Sequence, residues 1–209
     1  MEIYQTEEQQ VEAIKSFWSE NGNSIIAGLV IGFSGFIGLN YYQDHQLAEQ
    51  QKTADTYMVN MELADKKPEE FNQKAAVFIA QHKDSSYASL TAFAMAKNVL
   101  SHKDYTQAVK YLQTAIDKAP NAGIKAIAII RLAQLQTQLK QYDKALANLA
   151  NVMPESFIAS IEEAKGDIYV LQGKNDLART AYQTAIDNDG LKASSVLQMK
   201  IDDLAIALD

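Results

Sequence analysis

His45, His82 and His102 are the imidazoles of this 209-residue sequence that could serve as metal ligands or as acid–base groups. They lie far apart, and none forms the helical i,i+4 pair that would present two imidazoles to a metal. The adjacent carboxylates Glu69-Glu70, Glu162-Glu163 and Asp202-Asp203 point away from each other on a helix, so they cannot share a proton as an acid–base pair does. Cysteine is absent, and with it thiolate nucleophiles, disulfides, iron–sulfur clusters and cysteine zinc sites. Glycine-rich phosphate loops and nucleophile elbows are also missing. The expectation is a protein that is not an enzyme, with no catalytic residues, no cofactor and no metal site. Binding is what remains.

Charge narrows the partner. The net charge is −7, and arginine occurs only at Arg131 and Arg179. Residues 1–20 carry five acids against Lys15, while residues 44–209 carry 18 basic and 21 acidic side chains. Neither part has the basic footprint that tracks phosphates, so nucleic acid is not an expected partner.

The elements that would position a binding surface are of two kinds. The first is a charge-free run from Ser24 to Tyr42, flanked by Glu20 and Asp44. Its 19 residues rise about 28 Å as a helix, close to the hydrocarbon thickness of a bilayer. Phe17 and Trp18 at one end, and Tyr41 and Tyr42 at the other, resemble interfacial anchors. The charged residues among the preceding 23 are mostly acidic, unlike the basic start of a cleaved signal peptide, so a retained span is expected. Ser24, Gly28, Gly32 and Gly35 fall on one face, with Gly28 and Gly32 in the small-residue spacing that lets two helices approach in lipid. Ordinary glycine tolerance within spans is the alternative. Lys15 and Lys52 give almost no basic asymmetry, so orientation rests on a short tail before a large domain, which favours tail inside and domain exported. In the tail, Thr6-Glu7-Glu8-Gln9 matches a capping box and Val11, Ile14 and Trp18 share a face that could lie on the membrane surface. Asn21-Gly22-Asn23 is the expected break before the span.

The second kind is an internal repeat. With Ala108, Ala145 and Ala178 as anchors, Ala96, Ala133 and Gly166 stand twelve residues upstream. Tyr105, Tyr142 and Asn175 stand three upstream, Leu112, Leu149 and Tyr182 four downstream, and Ala115, Val152 and Ala185 seven downstream. The anchor spacings of 37 and 33 residues bracket the period of the tetratricopeptide repeat, about 34 residues. Each unit would be two antiparallel helices, with small residues where backbones meet and large apolar residues in the groove to the next unit. The units are expected over Ser86–Lys118, Asn121–Val152 and Glu155–Asp187. Leu191–Leu208 would be one capping helix, with Leu197, Ile201 and Leu204 on its buried stripe. Gln46–Ala64, continuing out of the span, and Glu69–Gln81 would form an N-terminal pair too diverged to assign as a repeat. The fold class is therefore all-α: an N-terminal transmembrane helix followed by a helical-hairpin array.

Resemblance to that repeat implies a concave surface lined by the first helix of each unit. Its positions are Leu90, Phe93, Lys97 and Leu100, then Ile127, Ile130, Gln134 and Thr137, then Ser160, Glu163, Asp167 and Val170. Only Lys97 there is cationic, which argues against a receptor for acidic chaperone tails. Phe93, Ile130 and Val170 suit an apolar segment of a partner or an unfolded client. A groove filled by the chain's own C-terminal helix is the alternative.

The opening Met1-Glu2-x-Tyr4, the run Gln10-Val11-Glu12-Ala13-Ile14-Lys15-x-Phe17-Trp18-x-Glu20-Asn21-Gly22, and the closing Leu197-Gln198-Met199-Lys200-Ile201-Asp202-Asp203-Leu204 carry a more specific likeness. Together with the glycine-rich span they resemble the ancillary SecYEG translocon subunit family (YfgM-type) of Gram-negative bacteria. That resemblance implies a single-pass inner-membrane protein: residues 1–23 a cytoplasmic tail, 24–43 in the lipid bilayer, 44–209 a periplasmic domain. It implies association with the SecYEG translocon and with the periplasmic chaperone PpiD, helping exported polypeptides pass from channel to chaperones. It also implies a link between the tail and a cytoplasmic stress-response regulator. A structural adaptor that tethers an envelope complex without touching clients is the alternative.

Overall fold

Alanine, leucine, lysine and glutamine dominate the chain after Asp44, and these residues lose little rotamer freedom in a helix. The computed structural model describes residues 7–83, 85–151 and 153–206, and among them every regular element is helical. Thr6 of the expected capping box, Met1, Glu2 and Tyr4 of the opening motif, Val152 and Leu208 lie outside the described residues.

The chain divides into two units, Met1–Lys52 and Thr53–Asp209. The first is built from the N-terminal part of α1, a single helix from Glu7 to Lys66. The break expected at Asn21-Gly22-Asn23 is not present, because local contacts hold the helix there. Asn21 turns its amide onto the Phe17 carbonyl four residues back, at 3.1 Å. Gly22 is buried under the Trp18 indole, which would lie 3.3 Å from a Cβ at this position. Beyond it α1 is long and apolar enough to cross a membrane, and only 6% of its most apolar window is buried. Leu29, Ile31, Phe33, Phe36, Ile37 and Leu39 are all exposed. A soluble core helix of this composition would be covered by neighbours.

The second unit contains the end of α1 and the hairpin array. Its helices are α2 (Pro68–Gln81), α3 (Ser86–Ser101), α4 (Tyr105–Asp117), α5 (Ala122–Gln138), α6 (Tyr142–Leu149), α7 (Ile158–Leu171), α8 (Asn175–Asp187), α9 (Gly190–Ala193) and α10 (Leu197–Ile206). A single 3-10 turn, Glu155–Phe157, leads into α7. Side chains close the helix starts: Ser85 accepts from Tyr87 N, Asp104 from Gln107 N, and Asn121 from Ile124 N. The pairs α3–α4, α5–α6 and α7–α8 are the three expected hairpins.

The hairpin turns repeat in backbone detail. Lys103, Lys140 and Gly173 each stand five residues before an anchor alanine, and each is left-handed, with φ of 60, 59 and 72°. In each turn the next residue's N–H reaches back five positions: Asp104 to Val99 O, Gln141 to Gln136 O, Lys174 to Tyr169 O. The left-handed residue's own N–H reaches back three: Lys103 to Leu100 O, Lys140 to Thr137 O, Gly173 to Val170 O. This is the Schellman ending, which satisfies the last carbonyls of a helix.

Small residues then bring the two helices together. Ala108, Ala145 and Ala178 are fully buried, facing Ala96, Ala133 and Gly166. Each core is shared with the following helix. Ala96, Ala108 and Leu112 pack with Leu132 and Leu135 of α5, and Ala133, Ala145 and Leu149 pack with Ile161 and Ile168 of α7. Ala178, Tyr182 and Ala185 pack with Leu197 and Leu204 of α10, with Ile201 beside them. The capping stripe is thus in place, but the single helix expected over Leu191–Leu208 is divided. Ser194 is extended (φ −131, ψ 110), and Gly190 approaches so closely that a Cβ would lie 2.4 Å from the Ala185 carbonyl oxygen.

The end of α1 and α2 extend the pattern. Ala75, 33 residues before Ala108, is fully buried with Phe71 and Met95. Leu63 stands twelve residues upstream of it, where the other units carry alanine or glycine, and α1 approaches α2 less closely than the partners in the three hairpins approach each other. Asn98 ties α2 to α3 through Asn72 Oδ1 at 3.1 Å and Pro68 O at 3.3 Å.

The two left-handed lysines generate a prediction. Glycine adopts this conformation without the Cβ clash, which costs other residues about 1–2 kcal/mol, while losing about 0.5–1 kcal/mol more chain entropy on folding. Lys103→Gly and Lys140→Gly should each raise stability by roughly 0.5 kcal/mol. Gly173→Lys should lower it by a similar amount. Chemical denaturation midpoints of the three variants check this.

Candidate polypeptide-binding face

The first helices of the units, α3, α5 and α7, carry the expected lining, and the structure sorts it into three groups. A cleft of about 290 Å³ gathers Phe93, Lys97 and Leu100 of α3 with Gln134 of α5, over a floor of Ala96, Leu112 and Leu135. It also brings in Arg131 and Gln138, which the sequence reading did not select. The Arg131 guanidinium lies 5.0 Å from the centre of the Phe93 ring. A cation over an aromatic face is held by the ring quadrupole. The omission amounts to a small rotation of α5: 131, 134 and 138 face the cleft, whereas 127, 130 and 137 do not line it.

A second group lies outside the cleft. Ile130 packs on the core of Ala133 and Ala145. Thr137 donates its hydroxyl to Ala133 O at 2.8 Å. Leu90, Ile127 and Ser160 are half-buried, and Val170 is exposed at the far end of α7.

The third group is occupied by the chain itself. Lys200 of α10 reaches Glu163 Oε1 at 2.7 Å and both carboxylate oxygens of Asp167, at 2.7 and 2.9 Å. Ser194 donates to the same Glu163 oxygen at 2.9 Å. Tyr182 donates its hydroxyl to Asp167 at 2.8 Å, and the Lys200 ammonium also lies over the Tyr182 ring. The ring fits because residue 166 is glycine; a Cβ there would lie 2.2 Å from Tyr182 Cε1. Where the other units pair alanine with leucine, this one pairs glycine with tyrosine, and the added hydroxyl sets the carboxylate that holds the cap. Burial and the Asp167 hydrogen bond raise the Tyr182 phenol well above its ordinary range. Burial alone would lower the Lys200 ammonium, but its bonds to Asp167 and Glu163 outweigh that and raise it.

Beside the α3–α4 turn, a recess of about 600 Å³ at the start of α2 is lined by Pro68, Glu69, Asn72, His102 and Asp104 among others. Glu70 there is paired with Lys74 at 2.9 Å and Lys67 at 3.3 Å, and these hold its carboxyl below the ordinary range. Among the described residues no three His, Asp or Glu side chains come together as a metal would require. On the apolar part of α1, Ser24 is exposed, and a Cβ at Gly28, Gly32 or Gly35 would meet no atom within 4 Å.

Known proteins share this organisation. A tetratricopeptide repeat-like domain family matches residues 15–206. The ancillary SecYEG translocon subunit of Escherichia coli K12 is 30% identical over 207 residues, spanning 99% of this chain and 100% of that protein. The protein of the same name from Aggregatibacter actinomycetemcomitans is 33% identical over 202 residues, spanning 95% and 97%. Among solved structures, MamA residues 41 to the end from Desulfovibrio magneticus RS-1 superpose with a TM-score of 0.52 at 18% identity, covering 76% of this chain and 97% of that one. This last likeness concerns the fold alone.

The Lys200 contacts predict a pH dependence. A raised folded-state pKa on both Lys200 and Tyr182 gives stability that is full below about pH 10 and is lost as pH rises further. The melting temperature should therefore stay level from pH 7 to 9 and fall above about pH 10, less steeply in Lys200→Met. At pH 7 that variant leaves two half-buried carboxylates unmatched and should lose about 1–2 kcal/mol, moderated by the partial exposure of Asp167.

Proposed function

Because the chain belongs to the ancillary SecYEG translocon subunit family, we propose that it is a single-pass inner-membrane protein that associates with the SecYEG translocon. The observation that carries this is the extent of the likeness: tail, apolar helix, repeats and C-terminal helix are matched together from end to end. In this reading residues 1–23 are cytoplasmic, 24–43 cross the bilayer, and 44–209 form a periplasmic repeat domain. The domain takes up exported polypeptides leaving the channel and passes them to periplasmic chaperones, in complex with PpiD. An extended face of stacked hairpins suits such binding, because it offers a long surface without requiring chemistry. The exposed Gly28 and Gly32 support a close helix contact in lipid, since a Cβ at either would meet no atom of the described residues within 4 Å.

Affinity recovery from membranes in mild detergent, read by mass spectrometry, tests the association. Channel subunits and the chaperone should be recovered with the intact protein, and in smaller amount with Gly28→Leu/Gly32→Leu. Their absence from the intact sample would overturn the reading. Photocrosslinking from Phe93 should capture newly exported chains; capture of one stable partner only would favour a tether without client contact. For topology, Lys192→Cys should be labelled by an impermeant thiol reagent from outside the inner membrane, and protection would reverse the orientation.

A further inference from the structure

We infer that the cleft between α3 and α5 binds a side-chain carboxylate of a polypeptide segment together with the apolar side chain beside it. The inference rests on the reading of the repeat face as a polypeptide-binding surface, and adds what that surface recognises.

Charge on the concave face is unevenly matched. At the third unit, Glu163 and Asp167 are neutralised by Lys200. At the first and second, Lys97 and Arg131 make no ion pair and no side-chain hydrogen bond among the described residues. Among these lining positions the unmatched positive charge therefore sits in this cleft, on a chain whose net charge is −7. An anionic group gains there and is repelled by the acidic remainder, which gives position as well as attraction.

The geometry suits a carboxylate. The Arg131 guanidinium lies over the Phe93 ring, its carbon 5.0 Å from the ring centre, and its N–H edge has no hydrogen-bond partner among the described residues. That edge can fork onto two carboxylate oxygens, with the Lys97 ammonium as a second cation. Gln134 and Gln138 add amide donors at the rim. Beneath them Ala96, Leu100, Leu112 and Leu135 make an apolar floor. A volume of about 290 Å³ lies at the low end for ligand pockets and suits one or two side chains rather than a folded element. The seam is open because α5 lies chiefly along α4 rather than α3.

The test uses the full chain in lipid nanodiscs and three fluorescein-labelled, C-terminally amidated peptides in a glycine–serine background. One carries aspartate next to leucine, one asparagine next to leucine, and one aspartate next to serine. By fluorescence anisotropy the aspartate–leucine peptide should bind at least about tenfold more tightly than either control. Lys97→Gln/Arg131→Gln should remove that preference, while Lys97→Arg should keep it. Both substitutions are at exposed positions, and unchanged melting temperatures would show that the fold is intact. Equal binding of the three peptides, no binding, or an unaffected double variant would each overturn the inference. Recovery of channel subunits is measured in parallel. Its failure in the unsubstituted protein would count against the membrane association while leaving the peptide titration to stand or fall alone.

Discussion

The close approach of two backbones at each anchor alanine is the contact from which the rest of the array follows. With Ala108, Ala145 and Ala178 buried against Ala96, Ala133 and Gly166, each hairpin is thin enough to leave one apolar groove. The first helix of the next unit fills that groove. At the end of the chain there is no next unit, and α10 takes its place with Leu197 and Leu204. The third unit stretches the rule: glycine makes room for Tyr182, and the tyrosine's hydroxyl, absent from Leu112 and Leu149, helps bind the cap through Asp167.

Most of this was legible from residue types and spacing. The three hairpins coincide with the expected units because small and large residues recur in register, and burial selects for both. What was not legible has local causes. Ala75 escaped because Leu63 stands twelve residues upstream and His82 seven downstream, so two of the small or apolar positions that mark a unit are missing. Asn21-Gly22-Asn23 has the composition of a break, but composition does not show that Trp18 covers the glycine. The division between α9 and α10 depends on a backbone approach to Ala185 that no periodicity reveals.

The candidate site shows the same division. The likeness to the repeat placed Phe93, Lys97 and Gln134 on one concave surface, and the structure gathers these three in one cleft. Arg131 was not, because a helix rotates about 100° per residue and an error of one position moves a side chain off the face. The scarcity of arginine in this chain was the signal that could have drawn attention to it. Glu163 and Asp167 were placed on the same face, yet the lysine that matches them lies more than thirty residues away and only folding brings it there.

Because the core clusters of the later units each join one unit to the next element of the array, cooperativity there is short-ranged. Local openings at the α8–α10 end cost only the contacts of that end, and amide protons there can exchange while α3 and α4 stay protected. The array therefore behaves less like one all-or-none crystal than like a short zipper. Its C-terminal teeth can part and re-engage while the cleft between α3 and α5 keeps its shape.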